Sequence, residues 1–262
     1  MAVTLAELLS ALERLAPRGL AEPWDNPGLQ VGHPAAQISA VMVALDAGEA
    51  QVREAASSGC QALVTHHPLI YEPLRALRLD EPVGAALALA VRQEVAVACA
   101  HTNLDAAAWG VSQVLAERLG LKDVAPLAPS GNPGEGMGRL GSLAGPVTLA
   151  ELAALCRERL GADIIRCVAG GSEEIRRVAV CGGSGGALIG AALAAGAQAL
   201  VTGDIRYHQA REAEGRLALA DCGHFFGERP VLERLAERLG EELEGRVEAR
   251  VCFSERDPFK LY

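Results

Sequence analysis

The chain has 262 residues and a formal net charge of −9; half of its residues are hydrophobic and only 3% are aromatic. That length fits one large domain or two small ones, and the hydrophobic share excludes disorder as the dominant state. The acidic balance sets nucleic acid aside as an expected partner, because phosphate binding needs a basic surface.

The first element is an amphipathic helix. Thr4 precedes Glu7 by three residues, a capping-box pattern, and Leu5, Leu8, Leu9, Leu12 and Leu15 share one helical face. Its acidic residues mark it as a helix of the fold rather than a signal peptide. A loop over Glu22–Pro34 follows, with a tight turn expected at Asp25-Asn26-Pro27-Gly28. Ala40–Leu45 reads as a buried strand, and the helix after it ends near Gly59. The segment "QALVT" (Gln61–Thr65) is the next strand, and Val95–Ala100 a third. Ala128–Pro146 is dense in Gly, Pro and Ser and is expected to be a linker. Beyond it Thr148 and Glu151 repeat the capping box, and strands are expected at Arg177–Cys181, Gln198–Thr202 and Leu217–Cys222. Strand–helix–strand runs of this length imply parallel, right-handed crossovers. No apolar run reaches the roughly 18–20 residues that cross a bilayer. The seven cysteines form no C-x-x-C pair and read as small core residues, so a reducing cytoplasm and no membrane are expected.

Four blocks recur in the same order. "VTLAEL" stands at Val3–Leu8 and at Val147–Leu152. "GCQALVT" at Gly59–Thr65 returns as "GAQALVT" at Gly196–Thr202. "HTNLD" at His101–Asp105 returns as "HFFGE" at His224–Glu228, and "LAERLG" stands at Leu115–Gly120 and at Leu235–Gly240. The expectation is an α/β fold of two related lobes from an internal duplication, with residues 1–127 and 147–262 as lobes and 128–146 as the linker.

Four of the six histidines follow strand ends, where open α/β sheets bind ligands. His66 and His67 are adjacent after a buried strand, so their side chains diverge and can serve two metal ions. A polar loop whose histidines cap backbone groups is the plain alternative. His101 with Asp105, and His224 with Glu228, pair an imidazole with a carboxylate four residues on, at equivalent places in the two copies. On a helix that spacing brings the pair to one face; a cap beside an unrelated core histidine is the alternative. In the second copy Gly203-Asp204 replaces the histidine pair. Asp204 and His208 could be ligands, residues that orient ligands, or a general base, with ligand orientation or substrate contact favoured; a capped helix start is the plain alternative. "CGGSGG" (Cys181–Gly186) is a glycine turn open to a phosphate through its backbone N–H groups, although it lacks a Walker lysine.

The stretches "WDNPGLQVG" (Trp24–Gly32), "VTHHPLI" (Val64–Ile70), "HTNLDAA" (His101–Ala107), "GMGRLGSL" (Gly136–Leu143), "VTGDIRYH" (Val201–His208) and "GHFFGE" (Gly223–Glu228) span nearly the whole chain. In combination they resemble the NGG-interacting-factor-three-like family, whose members are often called GTP cyclohydrolase 1 type 2 homologues. The resemblance implies a dinuclear metal site at the interface of two α/β lobes, with His66, His67, Asp105, His224 and Glu228 as ligands and Glu228 as the bridge. His101 would stand beside them, and it or His208 would carry the proton. The two ions would be divalent transition metals: zinc, iron, manganese or cobalt. The resemblance also implies a homohexamer. The expected activity is metal-dependent hydrolysis, of cyclohydrolase or phosphoesterase type, of a nucleotide-like small molecule. The rival expectation is a non-enzymatic metal-binding adaptor or regulatory partner.

Overall fold

The computed structural model describes residues 2–260. In chain order its elements begin with β1 (Val3–Thr4), α1 (Leu5–Leu15), β2 (Gly28–Val31), β3 (Gln37–Ile38), β4 (Ala40–Ala44) and α2 (Glu49–Ser57). Next come β5 (Ala62–Thr65), α3 (Pro82–Arg92), β6 (Ala96–Cys99), α4 (Thr102–Ala106) and α5 (Val111–Arg118). The middle of the chain gives β7 (Lys122–Pro129), β8 (Gly136–Val147), α6 (Leu149–Leu160), β9 (Arg166–Val168) and β10 (Ile175–Ser184). Last are α7 (Ile189–Ala194), β11 (Ala199–Gly203), α8 (Tyr207–Ala213), β12 (Ala218–Asp221), α9 (His224–Glu228), α10 (Val231–Glu242) and β13 (Glu248–Val251).

Two compact units divide the described residues. Asp105–Val231 forms one; the chain up to Leu104, together with the chain from Leu232, forms the other. The unit built from both ends of the chain holds a five-stranded sheet in the order β13-β4-β5-β6-β2. Its strands β13, β4, β5 and β6 are parallel and β2 is antiparallel to β6. Met42, Ala44, Leu63 and Val97 pack with Val52 and Ala55 of α2 and with Ala86, Leu87 and Ala90 of α3. Val41, Val43, Val64 and Ala98 alternate to the opposite face and are equally buried. Burial on both faces is what a parallel sheet requires. In the same unit Arg14 of α1 and Glu242 of α10 form an ion pair.

The middle unit holds a six-stranded sheet, β7-β8-β10-β11-β12-β9. Here β10, β11 and β12 are parallel, β9 is antiparallel to β12, β8 is antiparallel to β10, and β7 is antiparallel to β8. Val178, Val180, Ala199, Val201, Ala218 and Ala220 face Leu115 and Leu119 of α5 and Leu152 and Cys156 of α6. Ala179, Leu200 and Leu219 face the other way, onto Ile189 and Ala192 of α7 and Ala213 of α8.

With the two-residue strand β3 left aside, the run α1, β2, β4, α2, β5, α3, β6, α4, α5 has the same order as the run α6, β9, β10, α7, β11, α8, β12, α9, α10. Both runs open on the expected capping box. Thr4 Oγ1 accepts from Glu7 N at 3.2 Å and Thr148 Oγ1 from Glu151 N at 3.2 Å, and each glutamate accepts in return from its threonine N–H at 2.7 Å. Each run yields its last helix to the other unit, α5 to the middle unit and α10 to the unit of the chain ends. The units therefore do not follow the expected borders at 127 and 147. Apolar stripes decide this: Leu115, Ala116 and Leu119 bury themselves against β10–β12 rather than against the sheet that precedes them in the chain.

The expected linker at 128–146 is instead the end of β7, a turn, and nearly all of β8. Its glycines serve close strand approach: a Cβ on Gly136 would lie 2.3 Å from the Ala128 carbonyl oxygen. Arg139, on β8, is buried and locks this hairpin. Its guanidinium donates to the carbonyls of Gly136 at 2.7 Å, Gly138 at 2.8 Å, Gly134 at 3.2 Å and Ala107 at 2.7 Å. The last bond ties the turn to the segment just after α4. No helix is long and apolar enough to cross a membrane among the described residues. Replacing Arg139 by Met strands several buried carbonyls and is expected to lower the unfolding free energy by about 3 kcal/mol, read from the urea midpoint. A change below about 0.5 kcal/mol would contradict that role.

Candidate functional site

Parallel strands end together, so residues just past those ends converge. In the unit of the chain ends, β5 gives way to His66 and His67. Their backbone N–H groups still bond to Ala44 and Leu45 at 3.0 and 2.7 Å, which brings the exit of β4 beside them. His66 is fully buried, and its Nδ1 lies 3.0 Å from the Ala100 carbonyl. A carbonyl only accepts, so Nδ1 carries the proton and Nε2 the lone pair. His67 Nδ1 lies 2.9 Å from Asp46 Oδ1. Asp46 is itself placed by Glu255, which accepts from the N–H groups of Leu45 and Asp46 at 2.8 Å each. Burial pushes the Glu255 carboxyl up, against the two backbone bonds that lower it.

His101 follows β6, and its Nδ1 lies 2.8 Å from Asp25 Oδ1. The second Asp25 oxygen accepts from the Thr102 N–H at 3.0 Å and from the Thr102 hydroxyl. Burial alone would raise the Asp25 pKa; the hydrogen bonds from Thr102 and His101 outweigh it and hold the carboxyl below its usual range. Its contribution to folding is therefore present at neutral pH and lost as the pH falls through that lowered value. Burial, then the charge of His66, pushes the His101 imidazole down, opposed by Asp25. One ligand atom from each of His66, His67 and His101 lies within 4.8 Å of the others, a spacing that can hold a metal ion.

The middle unit holds a second set at the equivalent strand ends. Asp204 follows β11 in the left-handed region, with φ 55°, and its carboxylate takes His224 Nδ1 at 2.7 Å. His224 Nε2 lies 3.1 Å from Glu228 Oε2, four residues on in α9. An imidazole between two carboxylates calls for a cation, either a proton or a metal ion. Asp221 at the end of β12 braces the pair: it accepts from Gly223 N at 3.0 Å and Ile205 N at 3.1 Å. Glu228 is buried. Gly183, at φ +61°, makes room for it, since a Cβ there would stand 2.1 Å from Glu228 Oε1. The "CGGSGG" turn thus packs against Glu228. Asp105, in α4, is the first residue of this unit, four residues beyond His101. Burial, followed by the charges of Asp105 and Glu228, pushes the Cys181 thiol up to about 12.

His66 and His67 thus stand beside His101 in one unit, and His224 and Glu228 pair in the other, the unit whose first residue is Asp105. His208 joins neither; it is exposed on α8 with its ring against Tyr207. Asp25, Asp46 and Asp221 escaped the reading of the sequence. Their one visible signal was an acid at or just beyond a strand end, or inside a turn.

These features define an α/β protein with histidine and carboxylate groups, gathered at strand ends, that can bind a metal ion. The chain belongs to the Duf34/NIF3 (NGG1p interacting factor 3) family, whose model matches residues 3–258. A Streptomyces coelicolor protein named "GTP cyclohydrolase 1 type 2 homolog" is 39% identical over 90% of this chain and 86% of its own length. A Clostridium perfringens protein of the same name is 32% identical over 98% of this chain and 99% of its own. Among solved structures, a Bacillus cereus protein related to NIF3 superposes with a TM-score of 0.93 at 25% identity, covering 100% of this chain and 99% of that one.

Asp25 is the group that favours the charged form of His101. Asp25→Asn is therefore expected to lower the His101 pKa further, measured by NMR titration of metal-free protein; an unchanged or raised value would contradict the assignment.

Proposed function

We propose that this chain is a metal-dependent hydrolase of nucleotide-like small molecules, working through two divalent transition-metal ions held by His66, His67, Asp105, His224 and Glu228. One observation carries the reading. Each of four histidines has Nδ1 fixed by an oxygen acceptor, Ala100 O, Asp46, Asp25 or Asp204, which orients Nε2 as a ligand or proton carrier. Metal-binding imidazoles are characteristically held this way. The ligand chemistry, imidazole with carboxylate and no thiolate, suits zinc, iron, manganese or cobalt. Cys181 fits its exclusion, since burial and two carboxylates keep its thiol protonated.

The matched order of elements in the two halves supports an internal duplication. On that reading His101-Asp105 and His224-Glu228 are equivalent pairs, and the proposal assigns the ligands of both to one dinuclear centre. Glu228, buried and beside His224, is the proposed bridge. When bound, such ions supply Lewis acidity and a water acidified to near neutrality. The protein's own part is positioning and proton transfer. His101 takes a proton at Nε2 while Asp25 steadies the resulting imidazolium through Nδ1. His208, exposed on α8, receives no step. The names of the relatives direct the substrate class toward nucleotides and the reaction toward ring opening; phosphoester cleavage is the other hydrolysis that two such ions support. The same reading takes the protein as a cytoplasmic homohexamer, with its seven cysteines as free thiols.

A screen of nucleotides and phosphate esters with Mn, Fe, Co and Zn tests this. The expected result is metal-dependent turnover that falls at least about 100-fold in His66→Ala and in Glu228→Gln. Full turnover in Glu228→Gln would overturn the mechanism. Metal uptake without turnover of any class would favour the adaptor instead.

A further inference from the structure

Two large aromatic side chains stand in water beside His101. Trp24 is 57% exposed and Tyr71 is 54% exposed, in a chain with only two tryptophans and three tyrosines. Their ring centroids are 5.9 Å apart, with the planes tilted by 54°. Trp24 also meets the His101 ring, at 6.1 Å and 73°. An exposed indole is usually mobile, but here both neighbouring segments are pinned. Glu22 N donates to Thr102 Oγ1 at 2.9 Å, and Asp25, next to Trp24, holds His101 and Thr102. Asn26 Nδ2 donates to the Ile70 carbonyl at 2.7 Å, and Ile70 N donates to Gln30 Oε1 at 2.8 Å. The two backbones that carry the rings are thus fastened to each other and to the start of α4.

We infer that Trp24 and Tyr71 form a stacking platform for the planar heteroaromatic ring of the substrate, a purine or pterin-like base, beside His101. The inference rests on the hydrolase reading above and names the part of the substrate that reading leaves open. Exposed rings carried on fastened backbones provide a π surface with little backbone left to order on binding. An aliphatic substrate gains less from an exposed aromatic face than a planar base, which offers a π face to stack on it. The contact with His101 places such a ring next to the proposed proton carrier. Trp24 and Tyr71 are positioning residues; neither takes part in bond making.

The test uses GMP and a pterin as planar probes and ribose 5-phosphate as the non-aromatic control. In a Trp109→Phe background Trp24 is the only indole, and GMP or the pterin is expected to quench its fluorescence while ribose 5-phosphate does not. By calorimetry, Trp24→Leu is expected to weaken the planar probe by about 10–100-fold, with Trp24→Phe recovering most of the loss. Ribose 5-phosphate should bind equally to all three, and metal content should match wild type in each. Unchanged probe affinity in Trp24→Leu, equal loss for ribose 5-phosphate, or no binding of either planar probe at millimolar concentration would overturn the platform. A changed oligomeric state with unchanged probe affinity would overturn it too, assigning the rings to a subunit contact. Failure of wild-type protein to take up metal while the probes still stack on Trp24 would refute the hydrolase reading and leave the platform standing.

Discussion

Four imidazoles in this protein are each fixed through Nδ1 by an oxygen acceptor, and much of the fold serves to keep those oxygens in place. Ala100 O is set by β6, whose pairing with β5 continues through the 2.9 Å bond from Ala100 N to Thr65 O. Asp46 is set by the exit of β4 and by Glu255, from the far end of the chain. Asp25 is set by Thr102, and Asp204 by a left-handed turn after β11 that Asp221 braces. A histidine held at one nitrogen is defined at the other. Its remaining lone pair then has a direction, which a flexible surface histidine lacks.

The exchange of terminal helices bears on the same constraint. The middle unit takes α5, which precedes its strands in the chain, to cover one face of its sheet. The helix α4 carries the chain from one unit to the other between Leu104 and Asp105, within the expected His101–Asp105 pair. Arg139 fastens the hairpin turn to Ala107, just past that crossing. A buried guanidinium satisfied by backbone carbonyls makes a rigid joint, because each carbonyl it leaves would be without its donor.

Much of this was legible in the sequence. The two capping boxes, the strands ending at Thr65 and Thr202, and the histidines after them all follow from local pattern, and local pattern is what helix caps and buried strands obey. The exchange was not legible, since "LAERLG" is the same in both helices and a stripe of leucines does not say which sheet it covers. The glycine-rich segment misled for a physical reason: glycine permits both flexible linkers and close strand approach, and Gly136 serves the second. The orienting carboxylates were hidden because Asp25, Asp46 and Asp221 are distant in sequence from some of the groups they hold. A tight turn and an acid after a strand look the same whether or not they hold an imidazole.

Imidazoles fixed at Nδ1 are oriented as metal ligands characteristically are, so the metal count is the direct test of the proposed centre. Elemental analysis of protein purified without chelators or a metal-carrying tag, then reconstituted with Zn, Mn, Fe or Co, should give about two ions per chain. Glu228→Ala, measured alongside, should lose metal. No bound metal in the wild type after reconstitution would contradict the proposed centre and return the histidine groups to the role of polar strand ends.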